Sequence, residues 1–276
     1  MTTKLFLTDK TLETEVSVLE CIPSEDGTFS VTLDRTPFYP QGGGQPCDTG
    51  FIGKSEVIKV FENENGKICH IAKQEVPLGK AIAKVNVERR KLNTCLHSAS
   101  HVISALIEGM GDWDVTKGSS FPGQARLEFK RKREEVEIPS IDQITEMLKD
   151  VVAQNLSFKE NIDPETGFRI VTWGDLKAYP CGGTHVSSTA ELADVVITKA
   201  HLKKGQPHVN FAKVLPKLRT FTTLPRPDAP EIEQQTTIQV SFYRRANPWH
   251  LLDSDAVVHG GQHVLYLSES SPDNRF

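Results

Sequence analysis

The first part of the chain, to residue 87, alternates between apolar and polar positions over short stretches that turn residues separate. Gly27, Gly53 and the pair Asn65-Gly66 mark three of the breaks. A period of two residues is typical of a β-strand with one buried face. The predicted strands cover residues 15–22, 28–34, 54–61, 67–72 and 80–87. Many short strands at even spacing predict a small β-barrel over residues 1–87.

From residue 88 the period becomes that of an α-helix. The apolar residues that repeat at this spacing are Leu92, Leu96, Ala99, Ile103 and Leu106. A second helix is predicted at 141–155, with Pro139 in its first turn. Strands are predicted at 125–130, 168–173 and 194–200. Residues 88–222 are therefore predicted to form an α+β domain, which makes the whole chain α+β.

The composition changes again after about residue 222. Residues 224–230 read Leu-Pro-Arg-Pro-Asp-Ala-Pro, which predicts a linker. Beyond this linker, residues 237–244 and 256–267 are predicted to pair as a hairpin. We therefore expect residues 223–276 to form a C-terminal extension, and the sequence assigns no role to it.

The overall composition changes this picture little. The chain has 276 residues, of which 38% are hydrophobic and 25% are charged, as is typical of a globular protein with a full core. A net charge of -4 gives no overall signal for nucleic-acid binding. Basic residues nevertheless cluster at 130–133 and 199–219, which fits either two solvated faces or local contacts with phosphate. The five irregularly spaced cysteines, with no leader and no long apolar stretch, predict a cytoplasmic location without a membrane span.

Two short motifs contain residues that can bind a metal ion. His97 and His101 are four residues apart on the predicted helix, so both imidazoles lie on one face. The segment Cys181-Gly182-Gly183-Thr184-His185 lies far downstream, and its glycines let the backbone bend so that thiolate and imidazole converge. Each motif alone also fits a structural role, as a pair of ordinary helix histidines or as a simple turn. Together they form a Cys/His set suited to Zn²⁺.

The chemistry of such a zinc ion stays open at this level. Ser98 follows the first histidine, whereas the helix signature of zinc metalloproteases has a glutamate there, so a protease is disfavoured. A zinc ion with four protein ligands is normally structural. A catalytic zinc would have to lose one of these ligands or expand its coordination shell to bind water or substrate. The alternative is that zinc only orders the pocket.

A glycine-rich loop lies inside the predicted barrel, at residues 36–50. Its three consecutive glycines are Gly42, Gly43 and Gly44, and such runs are favoured where the backbone approaches a ligand or another segment closely. Thr36 and Gln45 offer neutral hydrogen-bonding groups. The loop lacks the lysine and the spacing of nucleotide-binding loops, and it also fits a barrel turn with a bulge.

The motifs in this order resemble those of a known family. The loop Thr36-Pro37-Phe38-Tyr39-Pro40-Gln41-Gly42-Gly43-Gly44-Gln45, then the histidine pair, then Cys181 to His185, are similar to the motifs of alanyl-tRNA editing proteins of the AlaX type. These are free-standing relatives of the editing domain of alanyl-tRNA synthetase, and more distantly of threonyl-tRNA synthetase. The resemblance covers roughly residues 8–218.

The resemblance implies a hydrolase that removes serine or glycine from mischarged tRNA(Ala), in trans and without ATP. It implies a barrel followed by an editing domain over residues 88–222. It implies Zn²⁺ as the cofactor, held by His97, His101, Cys181 and His185. The partner would be mischarged tRNA(Ala), with no membrane, no DNA and no indicated protein partner.

Further site residues follow from the same resemblance. Thr36 is the candidate to contact the serine hydroxyl, and Gln45 or Thr36 to hold a water. The substrate-binding candidates are Gly42, Gly43, Gly44, Lys203 and Lys204. The chain departs from the family at Asn210, which stands near the position of an expected arginine. Two alternatives are a zinc hydrolase for another mischarged tRNA, such as Ser-tRNA(Thr), and a non-catalytic tRNA-binding module.

Overall fold

The computed structural model describes residues 2–8, 10–133, 136–203, 206–214, 237–239 and 255–257. The chain divides into two compact units, Met1–Val214 and Leu215–Phe276. The first unit begins with β1 (Thr3–Lys4), α1 (Leu5–Thr8), β2 (Glu13–Pro23), β3 (Phe29–Leu33), β4 (Arg35–Thr36), β5 (Gly50–Ile52), β6 (Ser55–Glu62), β7 (Ile68–Ala72) and β8 (Gly79–Val85).

Six of these strands form a closed barrel in the order β2-β3-β7-β6-β5-β8, with β8 pairing back onto β2. The barrel is closed because every strand directs one apolar row inward, and closure leaves no free edge. The fully buried interior side chains include Val31, Leu33, Ile52, Val57 and Val60. The predicted N-terminal barrel is therefore confirmed, and the ends of its five predicted strands lie within about two residues of the prediction. The sixth barrel strand, β5, was not predicted.

The rest of the first unit contains α2 (Val87–Gly109), β9 (Trp113–Ser119), β10 (Arg126–Arg131), α3 (Ile141–Gln154), β11 (Phe158–Ile162), β12 (Arg169–Trp173), β13 (Tyr179–Pro180), a 3₁₀ turn (Thr189–Leu192), β14 (Val195–Lys203) and β15 (Gln206–Lys213). An antiparallel sheet of four strands has the order β14-β15-β10-β9, and a smaller one has the order β11-β12-β13. The α+β class is thus confirmed.

The second hydrophobic core lies where α2 and α3 pack on the four-stranded sheet. Leu96, Ile103 and Ile107 of α2 are buried there with Ile144 of α3 and Phe129 of the sheet. The predicted stripe on α2 contributes to this core at Leu96, Ala99 and Ile103. Among the described residues, no helix has the length and apolar character of a membrane span.

The ends of the helices follow from local hydrogen bonds. The side chain of Asn86 accepts from the N–H of Arg89 and caps α2. Ser140 caps α3, whose last turn ends at Asn155 in the left-handed region, with φ of 51°. The prediction that Pro139 lies in the first turn of α3 is wrong, because Pro139 precedes the capping residue Ser140.

Four strands of this region, β9, β11, β13 and β15, were not expected from the sequence. β9 and β11 are edge strands. Four of the five residues of β11 are exposed, so its sequence lacks the alternation of apolar and polar residues that predicts a strand. β15 contains Pro207 near its start, and proline argues against a strand when only the sequence is read.

The described part of the second unit consists of β16 (Thr237–Gln239) and β17 (Asp255–Val257), which pair antiparallel with Ile238 opposite Ala256. This is the pairing that the sequence predicts. The remainder of both predicted strands and the linker 224–230 lie outside the described residues.

The capping box of α3 gives a direct test of the fold. Ser140 Oγ accepts from the N–H of Gln143 at 3.1 Å, and the Gln143 side chain accepts from the N–H of Ser140 at 2.9 Å. We expect Ser140→Ala to lower the free energy of unfolding by about 1 kcal/mol, since a helix N–H loses its partner. Urea unfolding measures this, and Ser140→Thr is the control that keeps an acceptor. Equal stability of the alanine variant and the wild type would contradict the prediction.

Candidate metal centre

Four side chains from two distant segments meet at one point. His97 and His101 come from the middle of α2, and Cys181 and His185 come from the turn after β13. Their ligand atoms all lie within 4.8 Å of one another. Cys181 Sγ is 3.1 Å from His97 Nε2 and 3.3 Å from His101 Nε2. Tetrahedral zinc bonds place such ligand atoms about 3.5 Å apart, so the cluster has the size of a zinc site.

The hydrogen bonding of the cluster also fits a metal ion. Both ring nitrogens of His185 and Nδ1 of His97 are buried and have no hydrogen-bond partner among the described residues. Buried polar atoms are nearly always paired, and an ion at the centre would bind one of the two His185 nitrogens. One thiol and three imidazoles form a donor set that zinc favours. The four residues therefore fit the metal that the sequence predicts.

Burial sets the protonation states of these residues. It lowers the pKa of His101 to about 4, with a smaller contribution from the nearby Arg169 guanidinium. Burial, followed by the neighbouring histidines, lowers the pKa of His97 and His185 well below the ordinary value. All three imidazoles are therefore neutral near pH 7, which is the form that binds metal. Burial raises the pKa of the Cys181 thiol, opposed by the Gly183 N–H and by Arg169.

The turn that carries Cys181 and His185 depends on one glycine. The N–H of Gly183 points at Cys181 Sγ over 3.3 Å. A Cβ atom at Gly183 would lie only 2.3 Å from His97 Nε2 and 2.9 Å from Gln45 Oε1. Position 183 must therefore be glycine if the turn is to approach α2 this closely. A Cβ atom at Gly182 would meet nothing within 4 Å.

Arg169 of β12 holds the same turn from behind, and the sequence reading missed it. Its Nη1 donates to the carbonyl oxygens of Cys181 and Gly183, each at 3.0 Å. Its Nε donates to Glu160 at 2.7 Å, which fixes the guanidinium. This role depends on the strand pairing that places Ile170 opposite Pro180, and the sequence alone does not show that pairing.

Aromatic rings orient the histidines, and the sequence reading missed these as well. Phe158 stacks on His185 with ring centroids 5.3 Å apart and an interplanar angle of 18°. Trp173 meets His185 edge-on at 5.4 Å, and its Nε1 donates to the Val186 carbonyl. Tyr179 lies against His101, with centroids 5.4 Å apart. Packing of this kind holds each histidine ring in one orientation, as a metal site requires.

The glycine loop forms a tight two-residue turn next to this centre. Gly42 and Gln45 exchange backbone hydrogen bonds, while Gly43 and Gly44 have φ of 52° and 78°, as a type I′ turn requires. Gly44 also contacts β9, because a Cβ atom there would lie 2.6 Å from the Gly118 oxygen. Gly44 thus serves close packing, whereas Gly43 lines a cavity and Gly42 does neither.

Gln45 ties this loop to the metal turn. It is fully buried, its Nε2 donates to Thr184 Oγ1 at 2.9 Å, and its Oε1 accepts from the Thr184 N–H at 3.1 Å. Thr184 Oγ1 is also 2.6 Å from Thr94 Oγ1 on α2. The structure therefore brings Gln45 to the centre as a residue that positions the turn, and its contact with water or substrate stays a prediction.

Thr36 lies elsewhere, in the interior of the barrel. Its fully buried hydroxyl is 2.8 Å from His70 Nε2 and accepts from the N–H of Phe38 at 3.1 Å. Burial lowers the pKa of His70 to about 4, so the ring is neutral. Nδ1 of His70 is 3.0 Å from the Val31 carbonyl oxygen, so Nδ1 carries the proton and donates to it. Nε2 of His70 therefore accepts a hydrogen bond from the Thr36 hydroxyl. The structure does not bring Thr36 together with the four ligands.

Two cavities border the centre. One of about 310 Å³ is lined by Gly43, His97, Ser100, His101, Ser104, Val115, Thr116, Lys117, Gly118, Leu127, Tyr179 and Pro180. Another of about 460 Å³ reaches His185 from the side of Phe158 and Arg169. Thr36 and Lys203 line neither cavity, Lys203 is exposed at the end of β14, and Lys204 lies outside the described residues.

The close approach at Gly183 yields a matched pair of variants. We expect Gly183→Ala to lose most of the bound metal, since its methyl group would overlap His97 Nε2. Gly182→Ala should keep the metal, because that methyl group enters open space. Elemental analysis of the purified proteins measures metal per chain, and circular dichroism verifies that both variants fold. Wild-type metal content in Gly183→Ala would refute the packing argument.

Comparison with known proteins bears on these residues. A family model described as "Threonyl and Alanyl tRNA synthetase second additional domain" matches residues 168–207, which include Cys181 and His185. The alanyl-tRNA editing protein AlaX-M of Saccharolobus solfataricus is 31% identical over 237 residues, which cover 76% of this chain and 98% of that protein.

Longer relatives match over part of their length. The alanyl-tRNA editing protein AlaX-L of Pyrococcus horikoshii is 31% identical over 205 residues, covering 66% of this chain and 50% of that protein. The alanine–tRNA ligase of Methanococcus aeolicus is 32% identical over 212 residues, covering 68% of this chain and 22% of that enzyme. The chain thus spans half or less of these two proteins but nearly all of AlaX-M, and it belongs to the family of AlaX-type alanyl-tRNA editing proteins.

Proposed function

We propose that this protein hydrolyses the ester bond between serine or glycine and the 3′-terminal ribose of mischarged tRNA(Ala). The proposed cofactor is Zn²⁺, held by His97, His101, Cys181 and His185. The observation that carries the proposal is the convergence of these four donors, within 4.8 Å, at the wall of a cavity. Relatives named as alanyl-tRNA editing proteins support the substrate class.

Zinc, when bound, would supply a Lewis acid for the ester carbonyl or a water with a pKa of about 7. The protein supplies the geometry. Of the four ligand residues, His97 and His185 are buried, whereas His101 and Cys181 are half-buried, so the centre is more accessible at these two. The ester of an aminoacyl-tRNA is intrinsically labile, so alignment of water and carbonyl can provide much of the acceleration.

The cavity of about 310 Å³ suits a small amino acid beside the ester. Ser100 and Ser104 lie on the same side of α2 as the two histidines, and their hydroxyl groups make part of the cavity wall polar. A pocket that binds serine needs a partner for the serine hydroxyl, since apolar pockets discriminate poorly against an added hydroxyl. We infer that the cavity holds the aminoacyl group and that Tyr179, whose pKa is raised by burial and by Glu108, stays protonated.

The deciding experiment is a deacylation assay with the full chain. Ser-tRNA(Ala) and Gly-tRNA(Ala) should be hydrolysed, while correctly charged Ala-tRNA(Ala) should survive. Faster hydrolysis of Ser-tRNA(Thr) than of Ser-tRNA(Ala) would favour a threonyl-type editing enzyme. Binding of tRNA without hydrolysis of any of these esters would favour a non-catalytic module and defeat the proposal.

Removal of single ligands tests the role of the metal. His101→Ala and Cys181→Ala should each lower bound zinc and reduce deacylation by on the order of a hundredfold or more. Zinc content and the single-turnover rate are measured on the same preparation. Cys69→Ala is the matched control for the thiol, because Cys69 is a buried cysteine of the barrel. Full activity of the wild type after chelation of the metal and refolding would exclude a catalytic zinc.

The sequence makes Thr36 the candidate to contact the serine hydroxyl, whereas in the structure its hydroxyl is buried against His70 and Phe38. A Thr36 variant separates these two roles. Thr36→Val should reduce deacylation of Ser-tRNA(Ala) and leave zinc content unchanged. The same variant leaves the Phe38 N–H without its acceptor, which costs about 1–3 kcal/mol of barrel stability. Urea unfolding therefore accompanies the rate measurement. Wild-type activity in Thr36→Val would remove Thr36 from the mechanism and leave it a purely structural residue.

A further inference from the structure

One face of the four-stranded sheet is turned away from the core. Along β10, Leu127 and Phe129 are buried against α2, while Arg126, Glu128 and Lys130 alternate with them. The strand register places His208 of β15 opposite Glu128, and His201 of β14 opposite His208. Directly opposite residues of paired strands share a face. The outer side chains of all four strands therefore form one continuous polar surface.

This surface collects lysines that have no carboxylate partner in the described part of the chain. They are Lys117 of β9, Lys130 of β10, and Lys199 and Lys203 of β14, and we call this set the basic sheet face. Two acids on the same side are already paired, Glu128 with Arg126 at 3.3 Å and Asp114 with Lys132 at 3.2 Å. In the strand register Glu128 also lies opposite Lys117, and Asp114 lies opposite Lys130. Because Arg126 and Lys132 balance these two carboxylates, the face keeps the positive charge of the four lysines.

Lysines on the barrel are arranged differently. Lys73, Lys80 and Lys84 each lie within 3 Å of a glutamate on the neighbouring strand. The basic sheet face is thus a local concentration of unpaired positive charge on a chain whose net charge is -4. Such a concentration of positive charge attracts a polyanion.

The position of the face indicates which polyanion it fits. Lys117 also lines the cavity that contains His97 and His101, so the face reaches the edge of the candidate centre. Lys199 and Lys203 are four residues apart on β14, a distance of about 13 Å along the strand, and β14 and β9 are separated by about 14 Å across the sheet. A surface of this extent can contact several phosphates of one nucleic-acid strand.

We propose that the basic sheet face binds the phosphodiester backbone of the acceptor end of the tRNA, with the 3′ terminus entering the cavity past Lys117. This inference rests on the proposed function, because it takes aminoacyl-tRNA as the substrate. It joins the two basic clusters that the sequence shows, at 130–133 and 199–219, into one surface and adds Lys117 of β9 to it.

The test compares two variants that lose the same charge. Lys130→Gln/Lys199→Gln neutralises two exposed lysines of the face, on separate strands. Lys54→Gln/Lys149→Gln neutralises two exposed lysines elsewhere that likewise have no carboxylate partner among the described residues. The probe is uncharged tRNA(Ala) transcript, with the dissociation constant measured by fluorescence anisotropy over a series of salt concentrations.

We expect the variant of the basic sheet face to bind the tRNA at least tenfold more weakly than the wild type at low salt. The slope of log affinity against log salt concentration should become less steep by about 1.4–1.8, because two phosphate contacts are lost. The control variant should bind as the wild type does. An unchanged slope in the face variant would overturn the proposal and leave the face to an acidic protein partner. Equal losses in both variants would also overturn it, since only net charge would then matter.

A separate assay distinguishes failure of this inference from failure of the proposed function. Hydrolysis of 3′-O-seryl-adenosine by the wild-type protein depends on the metal centre and not on the RNA backbone. If the wild type hydrolyses this small ester and the salt slope of the face variant is unchanged, only the proposed RNA contact of the basic sheet face is refuted. No hydrolysis with a flattened slope refutes the proposed function and keeps the face as an RNA-binding surface.

Discussion

The contact between Gly183 and the imidazole of His97 is the constraint on which the rest of the site depends. The turn of Cys181 to His185 reaches α2 only because position 183 has no side chain. Once there, the turn is held by Arg169 from one side and by Gln45 from the other. These contacts join residues that are 12 to 139 positions apart in the chain. The donor set therefore exists only when the barrel, the helix and the small sheet have all formed.

The close approach of the four side chains also gives the centre the chemistry of a cation site. Burial keeps the three imidazoles neutral, and it leaves both nitrogens of His185 without a hydrogen bond in the described structure. An unpaired buried polar atom costs about 1–3 kcal/mol, so an ion that binds one nitrogen of His185 would stabilise the fold. Phe158 and Trp173 keep His185 in this position without offering it a polar partner. A metal ion bound at this centre would consequently stabilise the region.

The sequence predicted what depends on local pattern and on residue chemistry. The barrel strands were visible because the apolar residues Val16, Val18, Val31 and Leu33 alternate with polar residues, and the four candidate metal donors were visible from residue type and spacing. Arg169 was not visible, since its role follows from the register of β12 against β13. Thr36 and Gln45 were equivalent in the sequence, as polar residues of one loop. Only the folded structure distinguishes them: Thr36 contacts His70 of the barrel, and Gln45 contacts Thr184 of the turn that carries Cys181 and His185.

Helix α2 explains how the glycine loop and the metal centre act as one structure. In its first turns, the buried Arg90 donates to both Asp48 of the loop segment and the Pro37 carbonyl, so the loop is attached to the helix by a buried ion pair. Two turns later the same helix presents His97 and His101, and near its end Glu108 accepts from the Tyr179 hydroxyl beside the cavity. Breaking one partner of a buried ion pair is strongly destabilising. A displacement of the loop would therefore act on the ligands through the helix, although Gly43 itself binds none of them.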